Sequence, residues 1–279
     1  MSEDRVRIDI ADRVATVTMV RVDKHNALDE PMFRALHDAT ERLIADESVR
    51  AVVLRGEGKS FCSGLDVPSF YQEGAMPSDG LLEREPGQIA NFAQRVATDW
   101  SAIPVPVIAA LHGNVFGGGA QIALGADIRI AAPGTRMSIM EMKWGLIPDM
   151  GITQSLPRLV PVDVAKELTY TGRIVDGAEA KALGLVTRIE EDPHAAADAL
   201  AREIASKSPD AVRRAKTLWE EAYVGGLSPA DGLILETELQ REIIMKPNQL
   251  AAVQAGFSGE PAQFADPTPS KVQTTAQAV

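Results

Sequence analysis

The sequence predicts an α/β protein with a parallel sheet, and three observations carry that prediction. An alternating apolar run opens the chain. Strand, glycine turn, helix and strand then recur through residues 104–131. After about residue 160 the texture changes to successive helical patterns richer in Ala, Glu and Lys.

Taken in order, Val6 to Val20 places Ile8, Ile10, Val14, Ala15, Val17 and Met19 among polar residues. That period of two predicts a hairpin turning near Ala11-Asp12-Arg13. From Asn26 to Asp46, Met32, Leu36, Ala39, Leu43 and Ile44 follow a helical period, with Pro31 at its start. Residues 50–55 read as a short buried strand, Gly56-Glu-Gly58 as a turn, and Phe61-Cys62 as another extended piece. Residues 68–100 mix prolines, glycines and charges before a helix-like stretch ending near Trp100, and predict an excursion over a pocket. Residues 104–110 form a strand with prolines at its edge. Phe116 to Leu124 turns from glycines into a helix, and residues 127–131 form the next strand. Val162–Thr171, Gly177–Leu183, His194–Ser206, Pro209–Tyr223 and Pro229–Met245 read as helices. Pro261, Pro267 and Pro269 then predict a loose tail. The expected division is a core over 1–205, a C-terminal helical region over 206–260, and the tail over 261–279.

Composition narrows the function classes. Apolar residues make up 45% of 279 residues, enough for a large core. The net charge of −11, with no Lys/Arg-rich block, argues against nucleic acid and against an anionic membrane surface. A single cysteine, Cys62, permits no internal disulfide and fits a reducing compartment. The N-terminus is acidic without an apolar run, and no stretch of about 18 apolar residues occurs. A cytoplasmic protein is expected. His25, His37, His112 and His194 show no ligand spacing, so no metal is expected.

Chemistry is signalled by Gly117-Gly118-Gly119-Ala120-Gln121, with Glu141 twenty residues beyond Gln121. A triple glycine lets backbone N–H groups approach a ligand without side chains in the way, and a later carboxylate supplies an acid or base. Taken alone, the glycines equally suit a tight strand-to-helix packing turn. No Gly-Lys-Ser/Thr follows, and the dinucleotide spacing fails, so neither nucleotide motif fits. Met140, Met142 and Trp144 flank Glu141 and would raise its pKa if they enclose it. Cys62 reads as a packed small residue, and Trp100, Trp144 and Trp219 as core or pocket-wall residues.

Five segments in order resemble the crotonase (enoyl-CoA hydratase/isomerase) family over roughly residues 10–260. They are Arg21-Val-Asp-Lys-His-Asn-Ala-Leu28, Ala51-Val-Val-Leu-Arg-Gly56 with Phe61-Cys-Ser-Gly-Leu-Asp66, the glycine segment from Ile108 to Asp127, Glu141-Met-Lys-Trp-Gly-Leu-Ile-Pro148, and Gly172 to Ala180 with Gly184-Leu-Val186. The resemblance implies a spiral of ββα turns, with C-terminal helices assembling a homotrimer or a dimer of trimers. It implies an acyl-CoA substrate, with coenzyme A entering as part of the thioester and no separate cofactor. By position, the N–H groups of Leu65 and Gly118 would hold a thioester oxyanion, with Gly64 and Gly117 shaping the two turns. Lys24 and the backbone at Ala27, Ser63 and Asp66 would hold the nucleotide end.

Hydratases of the family carry a glutamate where this chain has Gln121. An amide orients water but does not take its proton. The resemblance therefore favours double-bond isomerisation with Glu141 as acid/base. Hydration of an enoyl-CoA in fatty-acid oxidation, with Gln121 orienting water, is the alternative, and non-catalytic acyl-CoA binding a third. Dienoyl-CoA isomerases carry an aspartate corresponding to Asp149, which otherwise reads as a turn residue after Pro148.

Overall fold

A computed structural model describes residues 5–70, 78–223 and 225–272 of the chain. The expected hairpin is β1 (Val6–Ala11) and β2 (Val14–Met19), paired antiparallel. Asp12 and Arg13 both have positive φ, as a two-residue turn of this hand requires. Helix α1 (Glu30–Ala45) follows. Its N-cap is Asp29, whose side chain accepts from the Met32 N–H, and Pro31 sits in the first turn, where no N–H is needed.

Strand β3 (Ala51–Gly56), helices α2 (Val67–Phe70) and α3 (Ser78–Leu82), α4 (Phe92–Ala102) and β4 (Val107–Leu111) come next. The pocket excursion expected over 68–100 falls partly on 71–77, outside the described residues. Its last part is α4, opened by a capping box between Asn91 and Gln94.

The chain then winds between two sheets. It runs through β5 (Asn114–Phe116), α5 (Gly118–Leu124), β6 (Ile128–Ala131), β7 (Arg136–Ser138), α6 (Ile152–Ser155), α7 (Val162–Thr171), β8 (Val175–Asp176), α8 (Gly177–Leu183) and β9 (Arg188–Ile189). The larger sheet has the order β1-β2-β3-β4-β6-β9, parallel beyond the first pair. The smaller is β5-β7-β8. From β4 onward the chain passes back and forth between the two sheets, with helices between strands, as in the expected ββα spiral. The short β5, β7, β8 and β9 were not foreseen, because runs of two or three residues leave too little periodicity to read.

Two apolar layers sandwich the larger sheet. Leu28, Phe33, Leu36, Trp100, Val107 and Ala120 belong to the main cluster. On the other face Val53, Ile108 and Ile130 pack against Ala197, Ala201 and Ala205 of α9 (Pro193–Ala205). The i, i+4, i+8 alanines let α9 lie close to the strands.

Helices α10 (Pro209–Tyr223), α11 (Pro229–Ile243) and α12 (Pro247–Ser258) follow. The buried Lys216 docks α10 on its own core. Its Nζ donates to Asp127 Oδ2 at 2.8 Å and to the Val105 carbonyl at 3.1 Å. A cavity of about 880 Å³ lies beside this joint, bordered among others by Ala97, Leu124, Met150 and Trp219.

The expected loose tail is tied down where it is described. Asn248 Oδ1 accepts from the Ala265 N–H at 2.9 Å, Asp210 Oδ1 from the Thr268 N–H at 2.7 Å, and Glu242 Oε1 from the Lys271 N–H at 2.6 Å. Prolines remove backbone donors, but side-chain acceptors on α10, α11 and α12 take several of those that remain. Residues 273–279 lie outside the described residues. Helix α12 was also not foreseen. No helix among the described residues is long and apolar enough to cross a membrane.

Candidate active site

Two turns and one carboxylate converge at the N-terminus of α5. The first turn holds Ser63-Gly64-Leu65-Asp66. Gly64 has φ +85, and a Cβ built there would lie 2.7 Å from the Phe116 carbonyl oxygen and 3.7 Å from Gly117 Cα. The second turn centres on Gly117, with φ +53, whose own N–H donates to the Ser138 carbonyl at 2.9 Å. A Cβ on Gly117 would lie 3.4 Å from Glu141 Oε1. Conformation and contact together require glycine at Gly64, and the positive φ favours it at Gly117.

This packing leaves two donors unspent. Among the described residues, neither the Leu65 N–H nor the Gly118 N–H donates a hydrogen bond. Gly118 is the first residue of α5, where an N–H has no partner within the helix. Both donors thus sit on the two touching turns that the sequence singles out.

Glu141 is 8% exposed, and Gln121 is 2% exposed. Gln121 Nε2 donates to Glu141 Oε1 at 2.7 Å, and the Met150 N–H donates to Gln121 Oε1 at 2.9 Å. No other described residue hydrogen-bonds Glu141 Oε2. Burial raises the Glu141 pKa above its ordinary value. Its own backbone N–H and the Gln121 amide oppose that rise, while the charge of Asp149 adds to it. The expected apolar enclosure by Trp144 does not occur, since Trp144 is 52% exposed. Gln121 of α5 and the Gly117 turn lie against the Glu141 carboxyl group instead.

Asp149 is solvent-exposed as a residue, and partial burial of its carboxyl group raises its pKa. Its position beside Glu141 shows in the upward push its charge gives the Glu141 pKa.

The nucleotide-cradle candidates separate into two kinds. Lys24 is exposed. The N–H groups of Ala27, Ser63 and Asp66 are consumed in building the loop, donating to the carbonyls of Lys24, His25 and Leu28. They are not phosphate donors. The Asp66 carboxylate pairs with Arg21 at 2.7 Å, and Arg21 also reaches Asp29 and the Ala27 carbonyl. Sequence reasoning assigned no task to Arg21 or Asp29, which organise this loop. It also missed Met150, which acts through its backbone and so leaves no side-chain signal.

Elsewhere, Cys62 is buried against Gly119, with its thiol pushed up to about 12 by desolvation. It is a packing residue, as expected. Trp100 is fully buried, whereas Trp219 is exposed and forms the rim of the cavity. His37, Glu41 and Asp99 come together despite their sequence spacing. Arg95 donates to both acids, at 2.6 Å to Glu41 and 3.1 Å to Asp99, so a guanidinium already balances that cluster.

Comparison with known proteins places this geometry. The enoyl-CoA hydratase/isomerase family profile matches residues 9–256. The chain is 32% identical over 246 residues to mouse mitochondrial methylglutaconyl-CoA hydratase, spanning 86% of this chain and 75% of that one. It is 35% identical over 210 residues to mouse mitochondrial Delta(3,5)-Delta(2,4)-dienoyl-CoA isomerase, spanning 73% and 64% respectively. The crystal structure of an enoyl-CoA hydratase from Bacillus anthracis superposes with a TM-score of 0.84 at 30% identity, covering 93% of this chain and 98% of that one.

Proposed function

The chain belongs to the enoyl-CoA hydratase/isomerase family, and from that premise we propose that it moves a carbon–carbon double bond within an acyl-CoA thioester. Glu141 takes a proton from C2 of a 3-enoyl thioester. The electron pair delocalises onto the thioester oxygen, where the Leu65 and Gly118 N–H groups receive the charge. The proton then returns to C4, and the double bond settles between C2 and C3. No water is consumed. One preorganised donor of this kind is worth about 2.7–4 kcal/mol in a well-studied hydrolase.

The observation that carries the choice of isomerisation is the engagement of Gln121 at both ends. Its oxygen is committed to Met150 and its nitrogen to Glu141. It has no carboxylate to take a proton from water, and its acceptor already has a donor. That speaks against the hydratase reading. The unspent N–H pair beside a buried carboxylate with a free oxygen speaks against a binding protein without chemistry. The exposed Lys24 is the cation for the coenzyme phosphates.

Asp149, together with the likeness to a dienoyl-CoA isomerase, supports a second reading, in which a 3,5-dienoyl thioester is the substrate and Asp149 serves the distal carbon. Incubation with 3-enoyl- and 3,5-dienoyl-CoA, with products separated by mass and retention, tests both readings. A product of unchanged mass and shifted double bond is expected from at least one. Recovery of both thioesters unchanged would overturn the proposal.

The assembly we propose is a homotrimer or a dimer of trimers built through the C-terminal helices. Leu233 and Ile234 on α11, and Phe257 on α12 at 90% exposure, leave apolar surface for a second copy. A sedimentation mass at micromolar concentration should be a multiple of three chains. A mass of one chain would contradict it.

A further inference from the structure

We propose that Gln121 is a positioning residue, whose amide couples the Glu141 carboxylate to the Met150 backbone and leaves one oxygen, Oε2, to carry the proton. This rests on the isomerase reading and adds to it the device that holds the base.

The amide orientation follows from the partners. A backbone N–H only donates, so the group facing Met150 is the amide oxygen. The Nε2 group therefore faces Glu141 Oε1, and at 2.7 Å this is a short, charge-assisted bond. The Gln121 backbone is itself fixed, its N–H donating to the Gly117 carbonyl at 3.0 Å within the glycine turn. Oε1 is thus occupied by the Gln121 amide, and no described residue bonds Oε2.

The link also spans three parts of the site. Gln121 lies on α5, whose first N–H is the Gly118 donor. Glu141 lies beyond β7. Met150 lies between Asp149 and Gly151, and its Sδ packs close enough to Gly118 that a Cβ there would stand 2.8 Å away. One amide therefore sets the spacing between oxyanion donor, base and the loop that carries Asp149. A glutamate at 121 would set an oxygen against Glu141 Oε1, and the two would have to share a proton. The amide instead opposes the upward shift that burial gives Glu141 and orients the carboxylate at once.

The test is Gln121→Met, which keeps the length of the side chain and removes both hydrogen bonds. Two readouts separate positioning from mere structure. One is the pH profile of isomerisation with its division between kcat and KM. The other is the titration of the Glu141 carboxyl carbon by NMR in 13C-glutamate-labelled protein, which needs no turnover. Loss of the donor should move the acid limb and the Glu141 titration to higher pH. It should also lower kcat about 10- to 100-fold with little change in KM. Should Gln121→Met fail to fold, Gln121→Glu keeps an acceptor for Met150 and replaces the donor, and its Glu141 titration should also move to higher pH. An unmoved titration in a folded variant would overturn the proposal, as would an unchanged kcat. Inert wild-type protein whose Glu141 titration still moves would instead overturn the isomerase reading and leave the link standing.

Discussion

Glu141→Gln should abolish turnover while leaving thioester binding intact. Glutamine preserves the size of the side chain and an acceptor for Gln121 Nε2, so the local fold is retained. It has no lone pair basic enough to remove a proton from carbon. Removal of a positioned acid/base group typically costs 10²–10⁴-fold in rate. Here the same group takes and returns the proton, so kcat should fall at least about 10³-fold. The binding constant for a saturated acyl-CoA should change little, because the Leu65 and Gly118 donors are backbone. Near-normal turnover in a cleanly folded variant would remove Glu141 from the mechanism.

The same substitution has a stability signature with a definite sign. Burial raises the folded-state pKa of Glu141, so folding favours the protonated acid. That contribution is complete below the ordinary carboxylate pKa and is lost as pH rises through the raised folded value. Above it, the wild type carries a buried charge that Glu141→Gln lacks. The variant should therefore melt higher than wild type near pH 8, and the gain should vanish in acid. Thermal melts across that range measure it.

Gly118→Val should damage both activity and stability. A Cβ at Gly118 would lie 2.8 Å from Leu28 Cδ1 and 2.8 Å from Met150 Sδ. The sequence read the triple glycine as keeping side chains out of a ligand's way. The structure directs a side chain at Gly118 instead into the packing that holds Met150, and through Met150 the Gln121 link. Two further methyl groups cannot be absorbed there without moving the helix start. A loss of about 10²–10³-fold in kcat is expected from a displaced oxyanion donor, with about 1–3 kcal/mol of destabilisation from overpacking. A folded variant with full activity would show that the Gly118 N–H is not a donor to the reaction.

Much of this molecule was legible before the structure. Long periodic segments such as α1 and α9 declared themselves, because a buried face repeated over several turns writes itself into the sequence. The two glycine turns were legible for a different reason, since close backbone approach excludes every side chain. What stayed hidden depends on partners distant in sequence or on backbone groups. The Met150 N–H gave no sign that it would engage Gln121. The side chains of Asp210, Glu242 and Asn248 gave no sign that they would tie down residues 265–271. Trp144 was expected to enclose Glu141 and faces solvent, because adjacency in a turn says nothing about which way a ring points.

The central claim is that Glu141 serves as a lone carboxylate base and that Gln121 withholds the second group hydration needs. The most direct measurement is the ratio of two rates on matched short thioesters, isomerisation of a 3-enoyl-CoA and hydration of the corresponding 2-enoyl-CoA. The absence of one acid/base group predicts isomerisation favoured by at least about 100-fold in kcat/KM. Hydration equal to or faster than isomerisation would contradict it, and would mean that an amide at position 121 suffices to activate water.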